Sequence, residues 1–303
     1  MLPPSGEQVV LVHGDLDAVI TEIGATLRSL RVDSKPVIWE FPEGEIASCD
    51  RGQVLAPWPN RLEDGSYRFG DIVGRAALNE PERSTAIHGF VRWMPWSLEE
   101  RSADRAVLSC VIHPRPAYPF QVRLDLDYTL GGSGLEVTCG ATNTGSGLAP
   151  FGIGFHPYLL GGPDGIDEAE ISLLAQRRLL MDERGLPIGE EPVSGTAFDL
   201  GGRTLGGLEL DDCYTGLAVG IDGRWHARLD LPGRCSEVWA DAAFPYAMCY
   251  TGDSLGEPAY RRRAMAIEPM TCPPNAFHTG TNLIELRPGE KWQASWGIAT
   301  AVG

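Results

Sequence analysis

The 303-residue sequence contains no apolar run long enough to cross a bilayer. Its opening stretch, MLPPSGEQVVLVHG, lacks both the basic n-region and the apolar core of a secretory signal. These absences predict a cytoplasmic protein with no membrane partner. Positive charge is also scarce: 25 Lys and Arg face 41 Asp and Glu, for a formal charge of −16. A field of that sign repels phosphate backbones and anionic surfaces, so no nucleic-acid partner is expected and a neutral small molecule fits best. The seven cysteines, at 49, 110, 139, 213, 235, 249 and 272, form no CxxC pair. Neither a zinc knuckle nor a disulfide framework is therefore indicated. Helical periodicity is almost missing, with one weak candidate around 167–184. No linker, repeat or low-complexity tail interrupts the chain, which reads as one domain over 1–303.

What the sequence does have is period-two alternation. In QVRLDLDYTL, Val122, Leu124, Leu126, Tyr128 and Leu130 share one face, with Arg123, Asp125, Asp127 and Thr129 on the other. After GGSG the pattern resumes with Leu135, Val137, Cys139 and Ala141, which predicts a hairpin with one buried face. RAVLSCVI (105–112) and the run holding Trp292, Ala294, Trp296 and Ile298 repeat the signal. The expected fold is all-β: a large antiparallel β-sandwich, sheet packed on sheet.

Four stretches carry side chains suited to chemistry. In APWPN, Pro57 and Pro59 lack amide donors and cannot occupy a central strand. They predict a stiff loop displaying Trp58, Asn60 and Arg61. Such a loop suits a polyhydroxylated ligand; equally, Arg61 could pair with a carboxylate in a purely structural loop. In IHGF, His88 precedes Gly89, which permits close approach of backbone or ligand, and a satisfied half-buried histidine is the alternative. In FGIGFHPY, His156 follows Gly152 and Gly154 and precedes Pro157, which places it at a strand end, either in the core or at the mouth of a pocket. In RRRAMAIEPM, the run Ala264–Ile267 ends at Glu268 and is stopped by Pro269. A carboxylate at a sheet rim, desolvated, can serve as a general base, or it can pair with one of the arginines 261–263. LDDCYTGL adds Asp211 and Asp212, as a ligand-facing pair or a turn. Two histidines with a glutamate also raise a His₂Glu zinc site, although the local HExxH spacing that makes that motif specific is missing.

In their order along the chain, PWPNRLEDGSYRF, IHGFVRWMPW, NTGSGLAPFGIGFHPYL, LDDCYTGL and AIEPMTCPPNAFHTG resemble the aldose 1-epimerase (galactose mutarotase) family over nearly the whole length. The resemblance implies a supersandwich with its active site in a cleft on one sheet. It implies Glu268 as the base that removes the anomeric proton and His156 as the acid at the ring oxygen, titrating near neutrality. His88 would be a second histidine placing the sugar, with Arg61, Asn60 and, less directly, Asp211 holding hydroxyls. The implied activity is interconversion of the α and β anomers of a free aldohexose, with no metal or organic cofactor. A hexose-6-phosphate epimerase and a non-catalytic sugar-binding protein on the same fold are the alternatives. Some family members carry a glutamine where this chain has Phe244, which would replace an amide facing the sugar with an apolar ring.

Overall fold

The computed structural model describes residues 2–302. Two large antiparallel sheets dominate it. The nine-stranded sheet runs, in spatial order, Ser97–Arg101, Arg105–Ile112, Val122–Gly131, Gly134–Asn143, Lys291–Val302, Arg234–Asp241, Arg224–Leu231, Glu170–Leu173 and Gly201–Thr204. Its centre is the expected hairpin, with Leu130 opposite Leu135 and Val122 opposite Asn143. The alternating residues of Val122–Gly131 are buried on one face, as their polarity requires. RAVLSCVI pairs beside it as the strand Arg105–Ile112.

The second sheet orders Pro187–Pro192, Arg177–Met181, Asp211–Thr215, Tyr246–Tyr250, Ala264–Met270, Gly154–Phe155 and Val54–Leu55, with Tyr158–Leu160 also on Ala264–Met270. The stretch around 167–184 is therefore two strands rather than a helix. Ile171 and Leu173 are buried between neighbouring strands, and this tertiary burial outweighs the weak helical pattern. A four-stranded N-terminal sheet (Gln8–His13, Leu16–Thr21, Leu27–Val32, Lys35–Pro36) packs on the same core. Among the described residues, no helix is long and apolar enough to cross a membrane.

The core lies between the two large sheets. Phe155 of the second sheet packs against Trp296 of the first, ring centroids 4.8 Å apart. Phe244 is fully buried beside Phe155 and Trp292, and its carbonyl accepts the Trp225 indole N–H at 2.7 Å. It is thus a core residue and faces no sugar cleft, which corrects its assignment to a hydroxyl-binding position. Burying an aromatic side chain of this size is worth about 1.5–3 kcal/mol, reason enough for a phenylalanine there. The face of the second sheet turned away from this packing carries Ala264, Ala266, Glu268 and Met270 among two smaller apolar clusters, and with them the site.

Candidate active site

Sheet register explains how His156 and Glu268 meet. Gly154 pairs with Met270 and Tyr158 with Ala266, so the same register carried through the gap sets His156 opposite Glu268. The Ile267 and Thr271 amides donate toward this neighbour, to the Pro157 and Ile153 carbonyls. Their alternation makes His156 and Glu268 a non-hydrogen-bonded pair, the kind in which facing side chains come closest. Glu268 does not end its strand at a rim as the sequence suggested: the strand continues through Pro269 to Met270. The donor that Pro269 lacks would point to the side where the ladder is already interrupted, so a proline is tolerated.

The result is a direct contact. His156 Nε2 lies 3.2 Å from Glu268 Oε1, and both side chains are almost fully buried. Glu268 pairs with none of the arginines 261–263; Arg262 instead binds Asp167 and Asp253. Burial pushes the Glu268 carboxyl well above its usual range, reinforced by the charges of Asp211 and Asp50 and opposed by Arg61. Burial also pulls the His156 imidazole down to about 4, against a smaller upward pull from Asp50. This departs from the expected histidine titrating near neutrality, and desolvation is the cause. Both shifts favour a neutral pair, with the proton on the Glu268 carboxyl, over an ion pair. His156 Nδ1 and Glu268 Oε2 are buried without a hydrogen-bond partner, an open demand for polar groups.

His88 stands beside this pair, its ring 5.5 Å from that of His156 and nearly perpendicular to it. The Asn60 amide donates to His88 Nδ1 at 3.1 Å, and the His88 amide donates to the Asn60 carbonyl at 3.0 Å. Nδ1 is therefore an acceptor, and the neutral ring carries its proton on Nε2. Burial and the nearby Arg92 hold its pKa well below the free value, so it stays neutral. Both Asn60 and His88 adopt left-handed backbone, φ 54° and 67°. Gly89 follows, also left-handed, where any Cβ would collide with the Ala56 carbonyl.

Arg61 reaches Glu80 through two parallel bonds of 3.0 and 3.1 Å. Gly185 covers it so closely that a Cβ there would lie 2.6 Å from Arg61 Nη1. Asn60 is buried, and its Oδ1 accepts the Arg61 amide at 2.9 Å. Trp58 is not displayed: it is buried edge-on to Phe90, because the proline loop turns inward at that position. Asp211 lies in a strand rather than a turn. Opposite Tyr250, itself opposite Ala266, it shares the Glu268 face. It is open to solvent yet surrounded by protein, and desolvation raises its pKa. Asp212 points the other way, into an ion pair with Arg178.

Sequence reasoning missed Asp50. Its Oδ2 lies 3.9 Å from His88 Nε2, and it is ion-paired with the largely buried Arg92. Cys49 and Asp50 both take left-handed backbone, φ 57°, a strain invisible in the letters SCDRG. Its oxygen and ring nitrogens of His88 and His156 lie within 4.8 Å of one another. The donor chemistry nevertheless fits a cation poorly. His88 Nε2 bears the proton because Nδ1 is already an acceptor, and the Asp50 carboxylate is taken by Arg92.

The sequence model of the family described as aldose 1-epimerase matches residues 7–299. The chain belongs to the aldose 1-epimerase family. Among curated proteins, the uncharacterized protein YihR of Escherichia coli K12 is 29% identical over 296 residues, covering 97% of this chain and 93% of that one. The uncharacterized protein YphB of the same organism is 24% identical, covering 92% and 94%. Among solved structures, the GalM/aldose epimerase homologue from C. elegans superposes with a TM-score of 0.86 at 19% identity, covering 98% of this chain and 99% of that one. The galactose 1-epimerase from Lactobacillus acidophilus gives 0.83 at 20%, covering 98% and 94%. The galactose mutarotase-like β-sandwich expected from the sequence is thus the fold of this aldose 1-epimerase family member.

Proposed function

We propose that this family member is an aldose 1-epimerase that interconverts the α and β anomers of a free aldohexose. The observation that carries this reading is the buried His156–Glu268 pair, 3.2 Å apart, with the His88 ring beside it. Ring opening needs a proton to leave O1 while another arrives at the ring oxygen. With the pair's proton on His156, the Glu268 carboxylate takes the O1 proton as the C1–O5 electron pair moves to O5. O5 in turn takes the imidazolium proton, giving the open-chain aldehyde. Rotation about C1–C2 presents the other carbonyl face, and the same transfers run backwards to close the ring. Burial favours the proton on Glu268, and the short contact lets it cross to His156 when sugar arrives.

His88, neutral with a donor on Nε2, gives a hydrogen bond to a sugar oxygen without competing for the proton. Arg61, held by Glu80 and Gly185, and Asp211 supply a donor and an acceptor for ring hydroxyls, and Asn60 sets the His88 tautomer. Polarimetry on freshly dissolved α-glucose and α-galactose, with glucose 6-phosphate as a parallel arm, tests the reading. Acceleration of a free sugar is expected. Activity on the phosphate ester alone would move the enzyme to the hexose-6-phosphate class, and binding without acceleration would make it a sugar-binding protein.

A further inference from the structure

A cavity of about 310 Å³ opens beside the N-terminal sheet, with Arg28, Arg31, Trp39, Glu40, Phe41 and Arg263 among its walls. That volume lies at the lower end of the range of small-molecule sites. Two aromatic rings separate it from the epimerase centre. His156 stacks on Tyr158, Tyr158 meets Trp39 edge-on at 5.5 Å, and Trp39 lines the cavity.

Its charge runs against the rest of the molecule. Glu40 is the one carboxylate in the lining and is consumed by Arg31, through bonds of 2.8 and 2.7 Å. Arg28 meets only neutral oxygens, Gln8 Oε1 at 2.7 Å and the Phe41 carbonyl at 3.2 Å. Arg234 ties together the carbonyls of Pro36, Leu160 and Gly161, the first two of which belong to residues on the wall. The Arg263 side chain is exposed and has no hydrogen-bond or ion-pair partner among the described residues. Two guanidiniums of the lining, Arg28 and Arg263, thus face one recess with no carboxylate partner among the described residues, in a chain whose formal charge is −16. Guanidinium forks match tetrahedral oxyanions in shape and charge.

We infer that this cavity is a binding site for a compact dianion of the phosphoryl class, separate from the epimerase centre. The oxyanion sits between Arg28 and Arg263, and Trp39 and Phe41 provide an apolar wall for whatever carries it. Titration calorimetry of the full chain at low ionic strength, with inorganic phosphate and with glycerol 3-phosphate, tests the inference. Saturable one-site binding is expected, weakened about tenfold or more in Arg28→Gln/Arg263→Gln, as loss of charge-assisted hydrogen bonds requires. Arg287→Gln, which removes a remote exposed charge, should bind as the parent does. Tighter binding of the ester would identify an organophosphate as the occupant, and equal binding the free anion. Non-saturable heats, unchanged affinity in the double variant, or displacement of phosphate by a free hexose would each overturn the separate site. Anomer exchange by the double variant should equal that of the parent, so loss of the epimerase reading and loss of this one are read independently.

Discussion

Replacing Glu268 by glutamine alters one functional group and almost no volume. The amide can still donate to His156 Nε2 across the present 3.2 Å contact, so the site is kept and proton acceptance is lost. A positioned acid–base group contributes roughly 10²–10⁴-fold, which is about 2.7–5.4 kcal/mol of barrier. Anomer exchange measured by NMR should therefore slow by that factor while sugar binding persists. Stability should move the other way. Below about pH 4.3 the carboxyl is protonated in both folded and unfolded chains. As pH rises, the unfolded chain releases its proton first, because burial raises the folded pKa, so Glu268 lowers stability progressively until the folded carboxyl ionises. Glutamine has no such slope. Glu268→Gln should gain stability over the parent at pH 7, relative to pH 4, in denaturant titrations. Retention of more than half the parental activity would remove Glu268 from the mechanism. A variant that is less stable at pH 7 would show that Glu268 rests as a stabilising ion pair, refuting the neutral-pair description.

Further outcomes follow from the same geometry. Activity should hold through pH 5–6 and fall only near pH 4, where His156 takes a second proton; a limb near pH 6.5 would mean an unperturbed imidazole. Because the folded His156 pKa is lowered, its contribution to stability is present above about pH 6.5 and lost as pH falls toward 4, by roughly 3 kcal/mol at most. Urea titrations of the parent and His156→Gln at both ends of that window measure it. Asp50→Asn should leave Arg92 without its anion, costing about 1–3 kcal/mol of stability, and should shift the acid limb lower because Asp50 holds the His156 pKa up. An unmoved limb in the pH–rate profile would show that Asp50 does not act on His156. Gly89→Ala should lower both melting temperature and activity, by roughly 1–3 kcal/mol, since the position is left-handed and closed by the Ala56 carbonyl. Chelator treatment should leave the exchange rate unchanged; loss of rate restored by a divalent cation would overturn the His88 tautomer assignment.

The strands were legible because their alternation is local. Val122–Gly131 and Arg105–Ile112 declare a buried face in every second letter, and no distant contact is needed to read it. His156, His88, Glu268, Arg61 and Asp211 could be named because they stand in stretches with family order, and the structure brings them to one face. Their environment was not legible. Burial that pulls an imidazole down to about 4 depends on strands far apart in sequence, as does the register that opposes residues 156 and 268. Trp58 and Phe244 were misplaced for a related reason. An aromatic beside proline reads the same whether the loop turns inward or outward, and only the packing against Phe90 or Phe155 decides. Asp50 was missed because nothing in its neighbours marks a left-handed backbone.

The outer strands of the two large sheets have a bearing on how copies of the chain meet. Ser97–Arg101, SLEER, is exposed along its whole length and offers a row of charges at one edge. Pro187–Pro192 is bounded by prolines and carries Glu190 and Glu191 at another, and Gly201–Thr204 is short and glycine-led at a third. An open edge is a template on which another molecule's strand can add, and charge, proline and brevity are the devices that spoil it. Charge at one border, proline at the next and brevity at the third each make the edge a poor template for strand addition by a second copy.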